Sequence, residues 1–279
     1  MNSSASAPSS EDLLNHDGYQ TFKVLWLCGI VISILCFLIQ ITFFILIRSS
    51  RKIDEKILCH ITFTRIVATV FEFCVMYVQR FFFPWRELTF GIYFTSDFAI
   101  VCWMLVFTKH LYDKIVIVFN TTKIKLIIVT VAVWLTSAIF GAVAVYLLRY
   151  NTDYFIKFCT FFYVILKLVI QIVNSLIYIR IFYVAFRRRN SNSSDSESVV
   201  KVACVAFLLI VTTCIQIIVT DIIAIIKGTE TNFVLVKSFC VINSVHVVPL
   251  TVIFIIIMKA KMRQTITKTV TVRLMELVT

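Results

Sequence analysis

Three stretches of this chain, Val24–Ile47, Leu126–Leu148 and Val202–Thr220, contain no charged residue at all. A fourth, Ser238–Met258, has His246 as its only ionisable group. About 20 consecutive apolar residues are what a helix needs to cross the hydrocarbon core of a bilayer. Three further runs are long enough but carry charges inside them: Ile57–Gln79 with Arg65 and Glu72, Leu88–Thr108 with Asp97, and Phe158–Ile179 with Lys167. Together they predict seven spans. The runs are solidly apolar instead of alternating every second residue, which excludes a β-barrel. Backbone polar groups facing lipid must be satisfied within the segment, so each run has to be helical. The expected fold is an all-α integral membrane protein, a bundle of seven transmembrane helices.

Composition agrees. Only 15% of the residues are charged and 60% are hydrophobic, whereas a soluble domain carries roughly 25% charged residues to cover its surface. The net charge of +12 would suggest nucleic acid in a soluble protein. Here the basic residues lie in the short gaps between apolar runs, so no nucleic-acid partner is expected; the bilayer is the first partner.

Those basic residues orient the chain. With the N-terminus outside, the outer segments hold seven Lys and Arg and the inner segments seventeen, with at least four in every inner segment. The excess of Lys and Arg on the cytoplasmic side predicts an external N-terminus and a cytoplasmic C-terminus. The chain then divides into an external tail (1–23), the helical domain (24–258) and a cytoplasmic tail (259–279). The first 23 residues are Ser-rich and lack a basic n-region, so no cleavable signal peptide is expected. Asn2-Ser3-Ser4 is a glycosylation acceptor on the external side.

In the cytoplasmic tail, Met262, Ile266, Val270, Leu274 and Val278 recur every four residues among Lys261, Lys268 and Arg273. That pattern suits an amphipathic helix on the inner leaflet. The third inner loop joins Arg187-Arg188-Arg189 to a tract of Ser, Asp and Glu, which reads either as a flexible anchor or as a loop regulated by phosphorylation. The nine cysteines show neither Cys-x-x-Cys nor metal-ligand spacing. No metal or cofactor is expected.

Ionisable groups at bilayer depth are costly and usually face the bundle interior or a wet cavity. Asp97, Lys167 and Asp221 are candidate contacts for a small polar or charged ligand entering from outside, with Glu72 and His246 as further candidates. The same residues could instead pair for stability or snorkel to the headgroups. Pro249, in Asn243-Ser244-x-His246-x-x-Pro249, marks a hinge, because proline removes a backbone hydrogen bond inside a helix. At the inner edge of the third span stands Tyr112-Asp113-Lys114.

Seven helices, short loops, a basic third inner loop and a surface helix after the seventh span together resemble a rhodopsin-like G-protein-coupled receptor. Asp113-Lys114 looks like that family's Asp-Arg-Tyr motif, Trp134 falls where its helix-four tryptophan would be, and Asn243-Ser244 to Pro249 is similar to a degraded Asn-Pro-x-x-Tyr region. The departures are large. The first span has no Gly-Asn pair, the sixth has no Trp-x-Pro, and residues 84–95 hold no cysteine for the usual external disulfide. Arg65 stands where the family has a sodium-binding Asp, somewhat as in bitter taste receptors. The resemblance therefore implies a divergent plasma-membrane receptor of a chemosensory kind, not an enzyme. Its partners would be a small-molecule or peptide ligand and a heterotrimeric G protein, with Asp113, Lys114, Arg187 and Pro249 on the coupling side. The competing expectation is a small-solute transporter or channel, against which stand the missing internal repeat and the scarcity of Gly and Pro for broken helices.

Overall fold

The computed structural model describes residues 10–46, 53–77, 83–117, 126–151, 154–155 and 158–189, together with 241, 244, 247–252, 254 and 255. Among these residues the regular structure is entirely helical. The helices are α1 (Ser10–Leu46), α2 (Ile53–Tyr77), α3 (Phe83–Ile115), α4 (Leu126–Tyr150) and α5, which opens with a π-helical turn, Phe158–Tyr163, and continues as α-helix over Val164–Arg189. The described residues between 241 and 255 are also helical.

Five of these helices are long and apolar enough to cross a membrane: Gln20–Ile45, Ile53–Val75, Trp85–Lys114, Leu126–Tyr150 and Val164–Val184. These are the first five expected spans. The sixth, Val202–Thr220, lies outside the described residues, as do the tail helix, the third inner loop beyond Arg189 and the Asn2 acceptor. α1 begins well before the apolar run at Val24. No proline interrupts the segment from Ser10 into the span. Much of the expected 1–23 tail therefore continues the first helix.

The outer faces of α1, α4 and α5 present large apolar side chains such as Ile127, Leu135, Leu35 and Leu176. In water such a surface would aggregate; it is the surface expected of helices solvated by hydrocarbon. The protein is membrane-embedded.

α3 is the centre of the bundle. It packs against α2, α4 and α5, and Ala99, Trp103, Met104, Phe107 and Leu111 are buried along it. Its 33 residues make a helix about 50 Å long at 1.5 Å per residue, more than the ~30 Å hydrocarbon core. Close approach of α4 depends on Gly141, where an added Cβ would lie 2.0 Å from Thr95 Oγ1 and 2.8 Å from the carbonyl of Gly91. Small residues at a helix crossing give the backbone contact that drives association in lipid.

Paired contacts fix the helix directions. Trp26 meets Phe73 and Phe37 meets Phe63, so α1 and α2 are antiparallel. Asp97 meets Lys167 and Tyr112 meets Arg180, so α3 and α5 are parallel. Ser33 donates a hydrogen bond to the carbonyl of Ser244, and Gln40 Nε2 donates to Thr251 Oγ1 at 2.7 Å. Both partners are seven residues apart, two turns on each helix, so 241–255 runs parallel to α1. Gly29 makes this contact possible, since a Cβ there would lie 1.8 Å from Ser244 Oγ.

Candidate functional site

Tyr163 and Lys167 are four residues apart, which places them one above the other on a single face of α5. Tyr163 closes the π-helical turn, a local departure from α-helix that is frequent at functional sites. Both side chains reach Asp97 on α3. Tyr163 Oη donates to Asp97 Oδ2 at 2.5 Å, and Lys167 Nζ donates to the same oxygen at 2.8 Å. The Lys167 ammonium also sits 5.1 Å from the centroid of the Tyr163 ring, within range of a cation–π attraction. Arg65 of α2 is buried and adds its positive charge to the surroundings of Asp97.

Depth explains the arrangement. Asp97 lies twelve residues into the span that begins at Trp85, about 18 Å along the helix and well inside an apolar segment. A lone carboxylate or ammonium there is expensive, so the two charges meet and the tyrosine satisfies one more lone pair. An aromatic layer keeps the pair dry. Phe94 packs edge-on against Tyr163 at 5.3 Å, and Phe98 stacks on Phe140 at 4.1 Å beside it.

A second charged cluster sits at the C-terminal end of α3. Asp54, in the first turn of α2, accepts a hydrogen bond from Lys114 Nζ at 2.5 Å and is bonded to His110 Nε2. Asp113 pairs with Lys109 at 2.9 Å on α3 itself. The guanidinium of Arg180, on α5, lies 5.8 Å from the centroid of the Tyr112 ring. About two turns deeper, His60 stacks flat on Trp103 at 4.5 Å. His60 and His110 thus have separate partners, and among the described residues no group of three or more His, Cys, Asp or Glu is placed to hold a metal.

The structure brings Asp97 and Lys167 together. Glu72 is half-buried on α2, two turns beyond Arg65. Asp113 and Lys114 are in the second cluster, and Arg187 is exposed near the end of α5. Pro249 is half-buried within helical residues 247–252. Asp221 and His246 lie outside the described residues. Cys28, Cys36, Cys59, Cys74 and Cys102 are free thiols.

Two participants escaped the sequence reading. Tyr163 is one of many aromatics in its segment, and only its spacing from Lys167 could have singled it out. Asp54 precedes the apolar run of α2, and its place at the start of the helix gives no sign of a partner on another helix. No protein-family model matches the chain, and no curated protein matches it.

Proposed function

We propose that the chain is a plasma-membrane receptor of seven spans, N-terminus outside and C-terminus in the cytoplasm, that binds an external ligand in its helical bundle and signals to a heterotrimeric G protein. The supporting observation is that one central helix carries a charged tie at two depths. Asp97 joins α3 to α5, and Lys114 with His110 joins α3 to α2. Seventeen residues separate 97 from 114, about 26 Å along the axis.

In this reading a ligand ammonium takes the place of Lys167 at Asp97, or a ligand carboxylate takes the place of Asp97 at Lys167. Either exchange releases α5 from α3 and lets the far end of α3 shift against Asp54. Asp221, His246 and Glu72 are further proposed ligand contacts, and Asp113, Lys114, Arg187 and Pro249 proposed coupling residues. The ligand moves the equilibrium only by its difference in affinity for the two states. No bond is made or broken.

Helix direction supports the span number. α5 runs parallel to α3, and 241–255 runs parallel to α1. α1 and α3 share a direction, because α2 is antiparallel to α1 and also to α3, where Asp54 at its start meets Lys114 at the end of α3. A further span between α5 and 241–255 would fit these directions, and the charge-free run Val202–Thr220 is the segment we propose for it.

The test is guanine-nucleotide-sensitive signalling in cells expressing the chain, screened against small amines, amino acids and carboxylic acids. A response abolished by the charge swap Asp97→Lys with Lys167→Asp supports the proposal. A C-terminal epitope tag stained in unpermeabilised cells overturns it. The second reading, a small-solute transporter or channel, is favoured by the concentration of Arg65, Asp97 and Lys167 within the spans, since such residues also mark permeation pathways. Solute or ion flux through purified protein in liposomes, with no nucleotide-linked response, would select it.

A further inference from the structure

Where α4 leans on α3 through Gly91 and Gly141, the two helices and α2 border a groove of about 810 Å³. Leu88 and Ile92 of α3, and Ala142 and Val145 of α4, form its walls. Trp134 and Phe63 close its deep end. Fifteen residues of α4 separate Trp134 from Arg149, so the groove is about 22 Å long. That is more than the depth of one leaflet, half of a ~30 Å core. Both helices are long and apolar enough to cross the bilayer, so the groove opens sideways into hydrocarbon; its wall is mostly apolar, with Thr95 and Ser96 as polar residues along it.

The shallow end is different. Arg149 is in the last turn of α4 and Glu87 near the start of the α3 span, at the level where both helices leave the membrane. They face each other at 3.9 Å, longer than a normal hydrogen bond, so each keeps bonding capacity for a third group. Tyr146 and Tyr150 stand beside them, exposed and 4.8 Å apart, amphipathic rings of the type that collects at headgroup level.

An occupant must therefore be apolar along most of its length, come from the bilayer, and carry a negative and a positive charge close together at one end. We infer that this groove is a binding site for one zwitterionic phospholipid. The acyl chain lies along Leu88, Ile92 and Val145 towards Trp134. The phosphate takes the Arg149 guanidinium, whose planar fork matches phosphate oxygens, and the ammonium takes the Glu87 carboxylate. A sterol would use neither charge, and a fatty acid would use only Arg149. The inference does not rest on the receptor reading and holds equally for a transporter.

Trp134 supplies the measurement. The full chain, purified in a mild detergent, is titrated with phosphatidylcholine brominated on its acyl chains, and the quenching lost in Trp134→Phe isolates the groove signal. The expected result is quenching that saturates and is displaced by unbrominated phosphatidylcholine. Replacing the exposed Arg149 (Arg149→Ala) should raise the half-saturating lipid concentration about tenfold, the effect of losing one charge-assisted contact. Ala142→Phe, which sets a ring inside the groove, should remove saturation, with the thermal unfolding midpoint checking that this variant is folded. Quenching that rises linearly with lipid and ignores Arg149→Ala means ordinary boundary lipid and overturns the site. Displacement by a sterol or a fatty acid as efficient as by phosphatidylcholine overturns the headgroup assignment.

Discussion

The two charged clusters of α3 use the same residue types in different surroundings. At Asp97 and Lys167 the side chains are 12% and 9% exposed, whereas Lys114 is 49% exposed against a 12% exposed Asp54. The first pair is enclosed by phenylalanines; the second stands where two helix ends approach water. A charge in the first place can be lost only by stranding its partner in an apolar layer. In the second place, water and salt can take over from a missing partner. The deep cluster should therefore open only where a ligand supplies the missing charge, while the shallow one can open and close at little cost.

The largest expected effect tests the deep pair. Lys167→Met leaves the Asp97 carboxylate buried without its ammonium and should cost about 3–5 kcal/mol of unfolding free energy, with reduced surface expression. Combining it with Asp97→Leu should recover most of that loss. If the single variant unfolds like the parent, the deep pair is no different from a surface pair and the contrast fails.

Tyr163→Phe removes a single hydrogen bond to the same carboxylate and should cost about 1.5–3 kcal/mol. It sharpens the comparison by separating the hydroxyl from the ring, which stays to cover Lys167. Gly141→Ala probes α3 through packing alone. The new methyl can escape Thr95 by a side-chain rotation but not the Gly91 carbonyl, so a cost of about 1–3 kcal/mol is expected and should persist when Thr95 is also changed to alanine. Thermal unfolding in detergent reads both effects. Lys114→Ala should be the mildest, about 0.2–1 kcal/mol, and the difference from the parent should shrink in molar salt. An undiminished difference in salt would mean that the shallow tie is shielded like the deep one.

The spans were legible in the sequence because hydrocarbon tolerates so few arrangements of charge. Leu126–Leu148, free of any charge, differs from α4 by only two residues at its end. Asp97 and Lys167 stood out for the same reason, each being the lone charge in an apolar run. The start of α1 at Ser10 was less visible, because a helix already secured in lipid extends into polar sequence that composition alone assigns to a tail. Tyr163 and Asp54 were hidden because nothing in a tyrosine among aromatics, or in an aspartate before a span, announces a partner on another helix. The pairing of Ser33 with Ser244 joins positions 211 residues apart, and one sequence contains no mark of that proximity.

That last contact has a consequence for synthesis. α1 enters the bilayer first, yet its buried Ser33 and Gln40 meet their partners only when the 241–255 segment arrives. Until then two polar side chains wait among lipid tails, where unsatisfied donors are costly. Closing so long a loop is slow. A ribosome that stops before residue 251 thus releases a first helix whose Gln40 amide has lost its threonine, a defect that membrane surveillance can recognise without any part of the charged clusters being damaged.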